Sequence, residues 1–423
     1  MGERVRTPAL ERLAREGVLF RNAFCAGPTC SPSRASLLTG RYPHEVGMLG
    51  LAHRGWGLSD PSEHLANRLR SAGYRTAAAG IQHVAQSHES IGFDEVLGDL
   101  SAPTKDAAWS ASVSSWVRSK PREPFYLELG LFAPHRGGDD AERFWADHEH
   151  GDDRYTKPPA GLPDAPAVRR DAARLHASCE SADRCFAMVL GALDDAGLAD
   201  DTIVIATTDH GVAMPMHKCN LTDAGLGVFL MMRGPGGFSG GGVVDAMVSH
   251  LDVTPTVLEL IGAEAPAGLR GRSLLPVVSG EVDASRPDAV HEELIGAVTY
   301  HAAYEPMRSV RTARWKYIRR FGRRLRPVMP NCDDSPTKTL LAGAGWHERD
   351  HPREALYDLA LDPCERESRA ADVACAAALD EMRGRLERYL DATGDPIRLG
   401  DVPPSDPSLV TPADQWGPEL PGA

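Results

Sequence analysis

One segment near the N-terminus combines a cysteine, a helix start and an arginine. It reads Cys30-Ser-Pro-Ser-Arg-Ala-Ser-Leu-Leu-Thr-Gly. Ser31 is a good N-cap and Pro32 a good first helical residue, so Cys30 is predicted to lie just ahead of a helix N-terminus. Free N–H groups and the positive end of the helix dipole favour an anion there. Arg34 lies one turn on and can point at the same anion, although the spacing alone also fits a capped turn with a surface arginine.

Polar side chains follow the ends of several predicted strands. His83, His135 and the pair Asp209-His210 each come a few residues after an apolar run. Ligands bind outside the carboxyl ends of the strands in open α/β sheets. Carboxylate and imidazole are both metal-ligating groups. The pattern predicts a site at this edge of the sheet, with a capping role for Asp209 and structural roles for the histidines as the alternatives.

Strands must alternate with helices to position these residues. The predicted strands cover residues 18–24, 74–79, 124–131, 202–207 and 228–233, and the predicted helices cover residues 9–16, 30–39, 64–72, 170–196 and 254–261. This alternation predicts crossover connections and a mostly parallel sheet. Beyond residue 285 the pattern changes to antiparallel strands within residues 308–319 and 354–361, followed by a helix over residues 370–392.

The segment at Cys30 resembles the signature of the sulfatase family, Cys-x-Pro-x-Arg followed by Ala-Ser-Leu-Leu-Thr-Gly. Residues 7–24 resemble the segment that precedes this signature. Four further segments resemble the sulfamidase (heparan N-sulfatase) branch: residues 44–51, 134–136, 208–211 and 306–310. The resemblance implies an α/β fold, an alkaline-phosphatase-like α/β/α sandwich with a smaller C-terminal antiparallel-sheet domain.

The resemblance also implies a chemistry. A formylglycine-generating enzyme would oxidise Cys30 to an aldehyde, which hydrates to a gem-diol. A divalent metal, calcium or another such as Mg²⁺, would lower the pKa of one hydroxyl. That oxygen would attack sulfur and form a covalent sulfo-enzyme. The second hydroxyl would then be deprotonated and expel sulfate, an exit that serine or unmodified cysteine lacks.

The remaining site residues are assigned by the same resemblance. Asp209, His210 and the modified Cys30 would ligate the metal, while Arg34 and Lys218 would contact sulfate; a solvated lysine is the alternative for Lys218. Two histidines would assist the leaving group, and two further residues would line the substrate side. These are His83 and His135 for the leaving group, and His301 and Arg308 for the substrate side. An ordinary loop histidine and an ordinary strand arginine are the alternatives for the last two. His83 ends the segment Gly80-Ile81-Gln82-His83, where sulfatases carry Gly-Lys-x-His, so this chain has Ile81 where the pattern has lysine.

The N-terminus departs from the family pattern. Sulfatases begin with an apolar strand that ends in Asp-Asp, whereas no strand is predicted before Thr7 and no aspartate precedes Asp60. A late recorded gene start, a degenerate sulfatase and a compensating partner or ligand set would each explain the difference, and we favour the first. The expected organisation is a catalytic domain over residues 1–285 without its usual first strand, an α+β subdomain over residues 286–395 and a Pro-rich extended tail over residues 396–423.

The net charge and the hydropathy of the chain limit the classes of partner that it is expected to bind. The 423 residues carry a formal net charge of -13, which disfavours nucleic acid and anionic membranes as partners. No apolar run approaches a membrane span and the first residues have no signal-peptide pattern, so the chain as written is expected to be cytoplasmic. The expected substrate is a sulfated small molecule or glycan. A phosphatase or phosphonate monoester hydrolase of the same superfamily, and an inactive sulfatase-fold binding protein, are the rival hypotheses.

Overall fold

A computed structural model describes residues 5–99, 105–137, 142–148 and 153–420. The strands are β1 Val18–Phe24, β2 Arg75–Gly80, β3 Glu95–Leu97, β4 Phe125–Gly130, β5 Val204–Thr207, β6 Gly227–Arg233, β7 Gly242–Ser249, β8 Leu294–Tyr300, β9 Tyr304–Arg311, β10 Trp315–Arg320 and β11 Glu354–Asp358. The helices are α1 Pro8–Glu16, α2 Cys30–Thr39, α3 Leu65–Ser71, α4 Asp106–Arg118, α5 Pro166–Ala196, α6 Asp223–Leu226, α7 Val253–Leu260, α8 Leu275–Val278, α9 Pro336–Gly343 and α10 Ala376–Thr393.

The N-terminal part is a three-layer α/β/α arrangement whose central layer is two separate sheets. One sheet has the strand order β3-β2-β4 and is parallel throughout. The other has the order β5-β6-β1-β7, in which β6 runs antiparallel to both of its neighbours. The prediction of a mostly parallel sheet is therefore wrong for the second sheet. The only helix between β5 and β6 is the four-residue α6, too short to carry the chain back across the sheet for a parallel return.

Helices cover both faces of these sheets. The side chains of β2 and β4 alternate between the two layers, as in a strand buried on both faces. Leu127 packs towards Trp109 of α4 and Leu193 of α5, whereas the adjacent Tyr126 packs towards Leu65 of α3 and Leu258 of α7. This alternation fixes the sheet between the two helical layers and leaves the carboxyl ends of its strands accessible.

β4 and β5 are the terminal strands of their sheets and face a common cavity of about 1680 Å³. The cavity is lined by most of β4 and β5 and extends to Cys30 and His210. The described residues place no strand between these two edges. An unpaired edge leaves a row of backbone hydrogen-bonding groups without strand partners.

The C-terminal part is an antiparallel sheet with the order β11-β10-β9-β8, covered by α10. The predicted strand over residues 308–319 is two strands, because a turn at residues 312–314 separates β9 from β10. The sheet joins the first part through a backbone hydrogen bond of 2.9 Å from Ala297 in β8 to Ala26. Within the described residues, no helix is both long enough and apolar enough to cross a membrane.

Candidate active site

Cys30 is the first residue of α2, two positions further into the helix than a cap at Ser31 predicts. Thr29 occupies the N-cap position, so the prediction that Ser31 caps the helix is wrong. The Ser31 hydroxyl instead accepts a hydrogen bond of 2.9 Å from the N–H of Ala52. Cys30 is 6% exposed and lies where the backbone N–H groups of the first helical turn have no intrahelical acceptor. This end of the helix favours a negative charge.

The environment of Cys30 stabilises an anion. Its Sγ lies 3.4 Å from Nε2 of His210. Burial raises the pKa of the thiol, but the charges of Lys218 and His210, with a hydrogen bond from His135, hold that pKa well below its usual value. Three cationic or hydrogen-bonding groups therefore converge on one position at the helix N-terminus.

Asp209 and His210 follow β5 directly and reach Cys30 because the chain turns sharply after them. Gly211 allows this turn: a Cβ there would lie 2.0 Å from the carbonyl oxygen of Ala224. The Asp209 carboxylate accepts a hydrogen bond of 3.0 Å from Nε of Arg34. Burial lowers the pKa of His210, while the charges of Asp209 and Cys30 raise it more strongly, to about 9.

One ligand atom from each of Cys30, Asp209 and His210 lies within 4.8 Å of the others. Calcium takes about six to eight oxygen ligands, and this set offers one carboxylate, one imidazole and one thiol. The described side chains thus do not complete a calcium site. They fit a divalent cation that keeps several waters or substrate oxygens in its shell, as Mg²⁺ commonly does. Asp209 and His210 are the protein ligands such an ion would use.

Lys218 is buried beside Cys30 by the turn that follows Val212. Its backbone N–H donates to the Val212 carbonyl at 3.1 Å, and the next residue, Cys219, donates to Pro28 at 2.8 Å. Its Nζ forms an ion pair of 3.0 Å with Asp333. Burial lowers the pKa of Lys218, but the charges of Asp333 and Cys30 raise it above its usual value, so the ammonium stays charged.

Arg34 occupies part of the space between Cys30 and β2. Besides Asp209, it donates from Nη1 to the carbonyl oxygen of Ile81 at 2.9 Å. Ile81 stands where the sulfatase pattern has lysine, so this position contributes a backbone acceptor and no charge. The cations beside Cys30 that do not depend on the state of His210 are therefore Arg34 and Lys218.

Two histidines form a stacked pair at the mouth of the site. Nδ1 of His53 lies 2.9 Å from Nε2 of His83, and the ring planes are 7° apart. His83 has a φ of 53°, in the left-handed region that is uncommon for a non-glycine residue. Burial, followed by the charge of His83, lowers the pKa of His53 to about 4. His53 is thus neutral near pH 7 and able to share a hydrogen bond with His83.

Comparison with known proteins decides the family. A family model described as Sulfatase matches residues 1–263, and one described as N-sulphoglucosamine sulphohydrolase, C-terminal, matches residues 216–327. The chain belongs to the sulfatase family. Human N-sulphoglucosamine sulphohydrolase is 30% identical to this sulfatase, over 93% of this chain and 86% of the human one. The predicted family, the enzyme class of sulfuric ester hydrolase and the alkaline-phosphatase-like fold are confirmed.

Two solved structures show the same fold at lower identity. A 2-O GAG sulfatase matches this sulfatase with a TM-score of 0.68 at 20% identity, covering 99% of this chain and 93% of the other. The phosphonate monoester hydrolase of Agrobacterium radiobacter matches with a TM-score of 0.65 at 19% identity, covering 92% and 91%. Fold likeness at this level extends to enzymes that act on different esters, so it does not select a substrate.

The structure brings most of the predicted site residues of this sulfatase into one cavity. The predicted residues that line it are Cys30, Arg34, His83, His135, Asp209, His210, Lys218 and His301. Arg308 does not belong to this set, and its assignment to the substrate side is wrong. It is fully buried in β9, where Nε and Nη2 donate to the carboxylate of Asp395 at 2.6 and 2.8 Å. A bidentate buried ion pair of this kind is structural.

Two site residues escaped sequence reasoning. Asp333 reaches Lys218 from a segment 115 positions further along the chain, and no local pattern marks it. His53 lies outside every quoted motif, although it follows Leu51 by only two positions in a segment that resembles the sulfamidase branch. Both line the cavity next to the cysteine. Only long-range packing reveals them.

Proposed function

We propose that this sulfatase hydrolyses a sulfate ester or N-sulfate carried by a sugar, using a formylglycine made from Cys30 and a divalent cation held by Asp209 and His210. The observation that supports this most is the convergence of the cations of Arg34 and Lys218 on the N-terminus of α2, around Cys30 and beside Asp209 and His210. A tetrahedral oxyanion suits such a set of cations and free N–H groups. The names of the human relative and of the 2-O GAG sulfatase support a sugar as the carrier.

Formylglycine would supply a hydrated aldehyde as the nucleophile, and the cation would supply a Lewis acid that polarises the sulfate oxygens. The chain itself positions the sulfate. The ammonium of Lys218 and the guanidinium of Arg34 approach position 30 from different elements and neutralise charge on the sulfate oxygens. Arg34 is fixed by Asp209 and the Ile81 carbonyl, so it is held in place before substrate binds.

The leaving group departs towards the histidines. His135 reaches position 30 from the loop after β4, with its Nδ1 2.5 Å from the carbonyl oxygen of Arg136. That contact assigns the proton to Nδ1 and leaves Nε2 available for the site. His83 faces the same cavity and is hydrogen-bonded to His53. In its imidazolium form, either histidine can donate a proton to the departing oxygen or nitrogen, a contribution of about 10²–10⁴-fold in rate.

Mass spectrometry of the tryptic peptide from Asn22 to Arg34 tests the nucleophile. The protein is co-expressed with a formylglycine-generating enzyme, and position 30 is expected to carry the mass of formylglycine. Lys218→Ala is expected to reduce kcat/KM for a sugar sulfate by about 10²–10³-fold, as for the loss of one oxyanion donor. Lys157→Ala, which changes an exposed lysine, is the matched control and should leave kcat/KM unchanged. Unmodified cysteine after co-expression would favour an inactive binding protein.

A phosphatase or phosphonate monoester hydrolase is the second candidate. The observation that favours it is that a pocket of two cations and a helix N-terminus also suits phosphate oxygens. A panel of matched sulfate, phosphate and phosphonate esters separates the two. Higher kcat/KM for the phosphate or phosphonate members would overturn the sulfatase proposal.

A further inference from the structure

Residues 409–419, here called the C-terminal strap, lie against the rim of the active site. Pro418 lines the same cavity as Cys30. Thr411 is 1% exposed and its backbone N–H donates to the carbonyl oxygen of Ala302 at 2.9 Å. The Thr411 hydroxyl in turn lies 2.9 Å from the Pro418 carbonyl oxygen, which folds the strap back on itself. The strap is thus packed onto the site instead of extending into solvent.

A buried arginine fixes the strap from the catalytic side. Arg54 is 8% exposed and donates from Nη1 to the Leu409 carbonyl and to the Thr411 hydroxyl, each at 3.0 Å. Its Nη2 donates to the carbonyl of Pro418. Within the described parts of the chain, no carboxylate forms an ion pair with Arg54. The strap carbonyls therefore solvate a buried cation, and losing them would leave it largely unsatisfied.

A buried lysine fixes the other end. Lys338 is fully buried, and its Nζ donates to the Trp416 carbonyl at 2.7 Å and lies 4.7 Å from the centre of the Trp416 ring. The same ammonium donates to the carbonyl of Cys332 at 2.8 Å and to the carboxylate of Asp334 at 2.7 Å. One charge thereby joins the strap to the loop that carries Asp333.

Each anchor of the strap adjoins a residue that faces the substrate cavity. Arg54 follows His53, Ala302 follows His301, and the Lys338 partners flank Asp333. We propose that the strap positions these three side chains, and that they recognise the part of the substrate beyond the sulfate, a sugar with hydroxyl or amino groups. This rests on the proposed function. Carboxylate and imidazole groups suit a polyhydroxylated ring because they accept hydrogen bonds from its donors.

The sulfate contacts depend on the strap only through the ion pair between Lys218 and Asp333. Arg34 belongs to α2 and is held by Asp209 and Ile81, and Lys218 is held by the turn after Val212. Loosening the strap should therefore weaken recognition of the sugar while sparing recognition of the sulfate. Lys338 is a positioning residue in this scheme, whereas Arg54 both anchors the strap and lines the cavity beside His53.

Three strap variants test this split: Arg54→Gln, Trp416→Ala and a chain that ends at Val410. Each is co-expressed with a formylglycine-generating enzyme and assayed with a monosaccharide N-sulfate or O-sulfate and with 4-nitrophenyl sulfate. We expect KM for the sugar sulfate to rise about tenfold, the size of one or two lost hydrogen bonds to a charged group. KM for the aryl sulfate should change less than about threefold. Arg54→Lys should recover part of the affinity for the sugar sulfate that Arg54→Gln loses. Arg366→Gln, an exposed arginine, is the matched control.

Two outcomes would overturn the strap proposal. Equal losses on both substrates together with a lower Tm would mean that the strap only supports the fold, and unchanged KM for the sugar sulfate would mean that it has no role in recognition. Calorimetry on the protein with unmodified Cys30 gives Kd for inorganic sulfate and Kd for the sugar sulfate without turnover. The ratio of these two Kd values reports the same split between sulfate and sugar recognition. If the wild type hydrolyses neither substrate, the proposed function fails, and the binding ratio alone then confirms or overturns the strap proposal.

Discussion

The ammonium of Lys218 and the carboxylate of Asp333 form a 3.0 Å ion pair beside Cys30. The lysine comes from the turn after β5, and the aspartate comes from the loop before α9. Burial raises the pKa of Asp333, but the charges of Lys218, His135 and His301 lower it below its usual value, so both partners stay charged. The pair ties the C-terminal part of the chain to the anion pocket and offsets part of the positive charge that sulfate would meet.

Asp333→Asn is therefore expected to strengthen inhibition by inorganic sulfate. The amide keeps the shape of the side chain but no longer competes with sulfate for the lysine. Removal of a partly exposed opposing charge is worth about 1 kcal/mol, or roughly a fivefold lower inhibition constant. The inhibition constant of inorganic sulfate is measured from its effect on the hydrolysis of 4-nitrophenyl sulfate. Asp350→Asn, at an exposed aspartate, serves as the control. Weaker inhibition by sulfate would show that Asp333 chiefly holds Lys218 in place.

His83→Ala should slow poor leaving groups more than good ones. A general acid contributes about 10²–10⁴-fold where the leaving oxygen needs a proton, and little where it departs as a stable anion. Plotting log kcat/KM against leaving-group pKa for a series of aryl and alkyl sulfates should therefore give a steeper slope for the variant. His53→Gln, which retains a hydrogen-bonding side chain beside His83, should give an intermediate slope. Parallel slopes for wild type and His83→Ala would assign the proton transfer to His135.

Glu305 makes stability depend on pH. Burial raises the pKa of its carboxyl to about 7, against an ordinary value of 4.5. Because the folded-state pKa is the higher one, full stability is present below pH 4.5 and is lost as pH rises from there through 7. Glu305→Gln removes an ionisation that the fold resists and keeps a side chain that can accept from Asn331, whose amide lies 2.9 Å away.

The expected result is that Glu305→Gln has a higher Tm than the wild type at pH 8 and a nearly equal Tm at pH 5. Thermal unfolding followed by circular dichroism at both pH values measures the difference. Glu264→Gln, which changes an exposed glutamate, should shift Tm at neither pH. A Tm difference of the same size at pH 5 and pH 8 would rule out the ionisation as its cause.

Arg308→Met should destabilise the protein by about 3–5 kcal/mol, because Asp395 would remain as an unpaired buried carboxylate. Both side chains are 0% exposed, and the guanidinium also donates to the Val298 carbonyl at 2.7 Å. Chemical denaturation gives the free energy of unfolding. The double variant Arg308→Met with Asp395→Leu should recover most of the loss, since no unpaired charge is then buried. If the double variant lost as much free energy of unfolding as the two single variants together, packing and not charge would dominate.

Local sequence patterns were enough to predict most of the helices and strands and to identify the residues of the Cys30 signature. The extents of β1 and α2 agree with the prediction to the residue, because an apolar run and the glycine that ends a helix are local signals, although the cap of α2 is Thr29 and not Ser31. β7 was missed, since the glycines at positions 240–242 interrupt the apolar pattern where the strand begins. Arg308 was misplaced for a related reason. A strand arginine carries no local mark of whether its partner is a substrate or a carboxylate 87 positions away.

The sequence by itself determined that Cys30 lies at the start of a helix, that Arg34 lies one turn after it and that the pair Asp209-His210 follows β5. Their spacing along the chain is set by helix and strand geometry, which operates over a few residues. Tertiary structure alone decided that Asp333 balances Lys218, that His53 pairs with His83, and that the C-terminal strap is anchored by Arg54 and Lys338. These pairings join distant segments. They depend on which buried charges and carbonyls meet when the layers pack, because each buried polar group must find a partner.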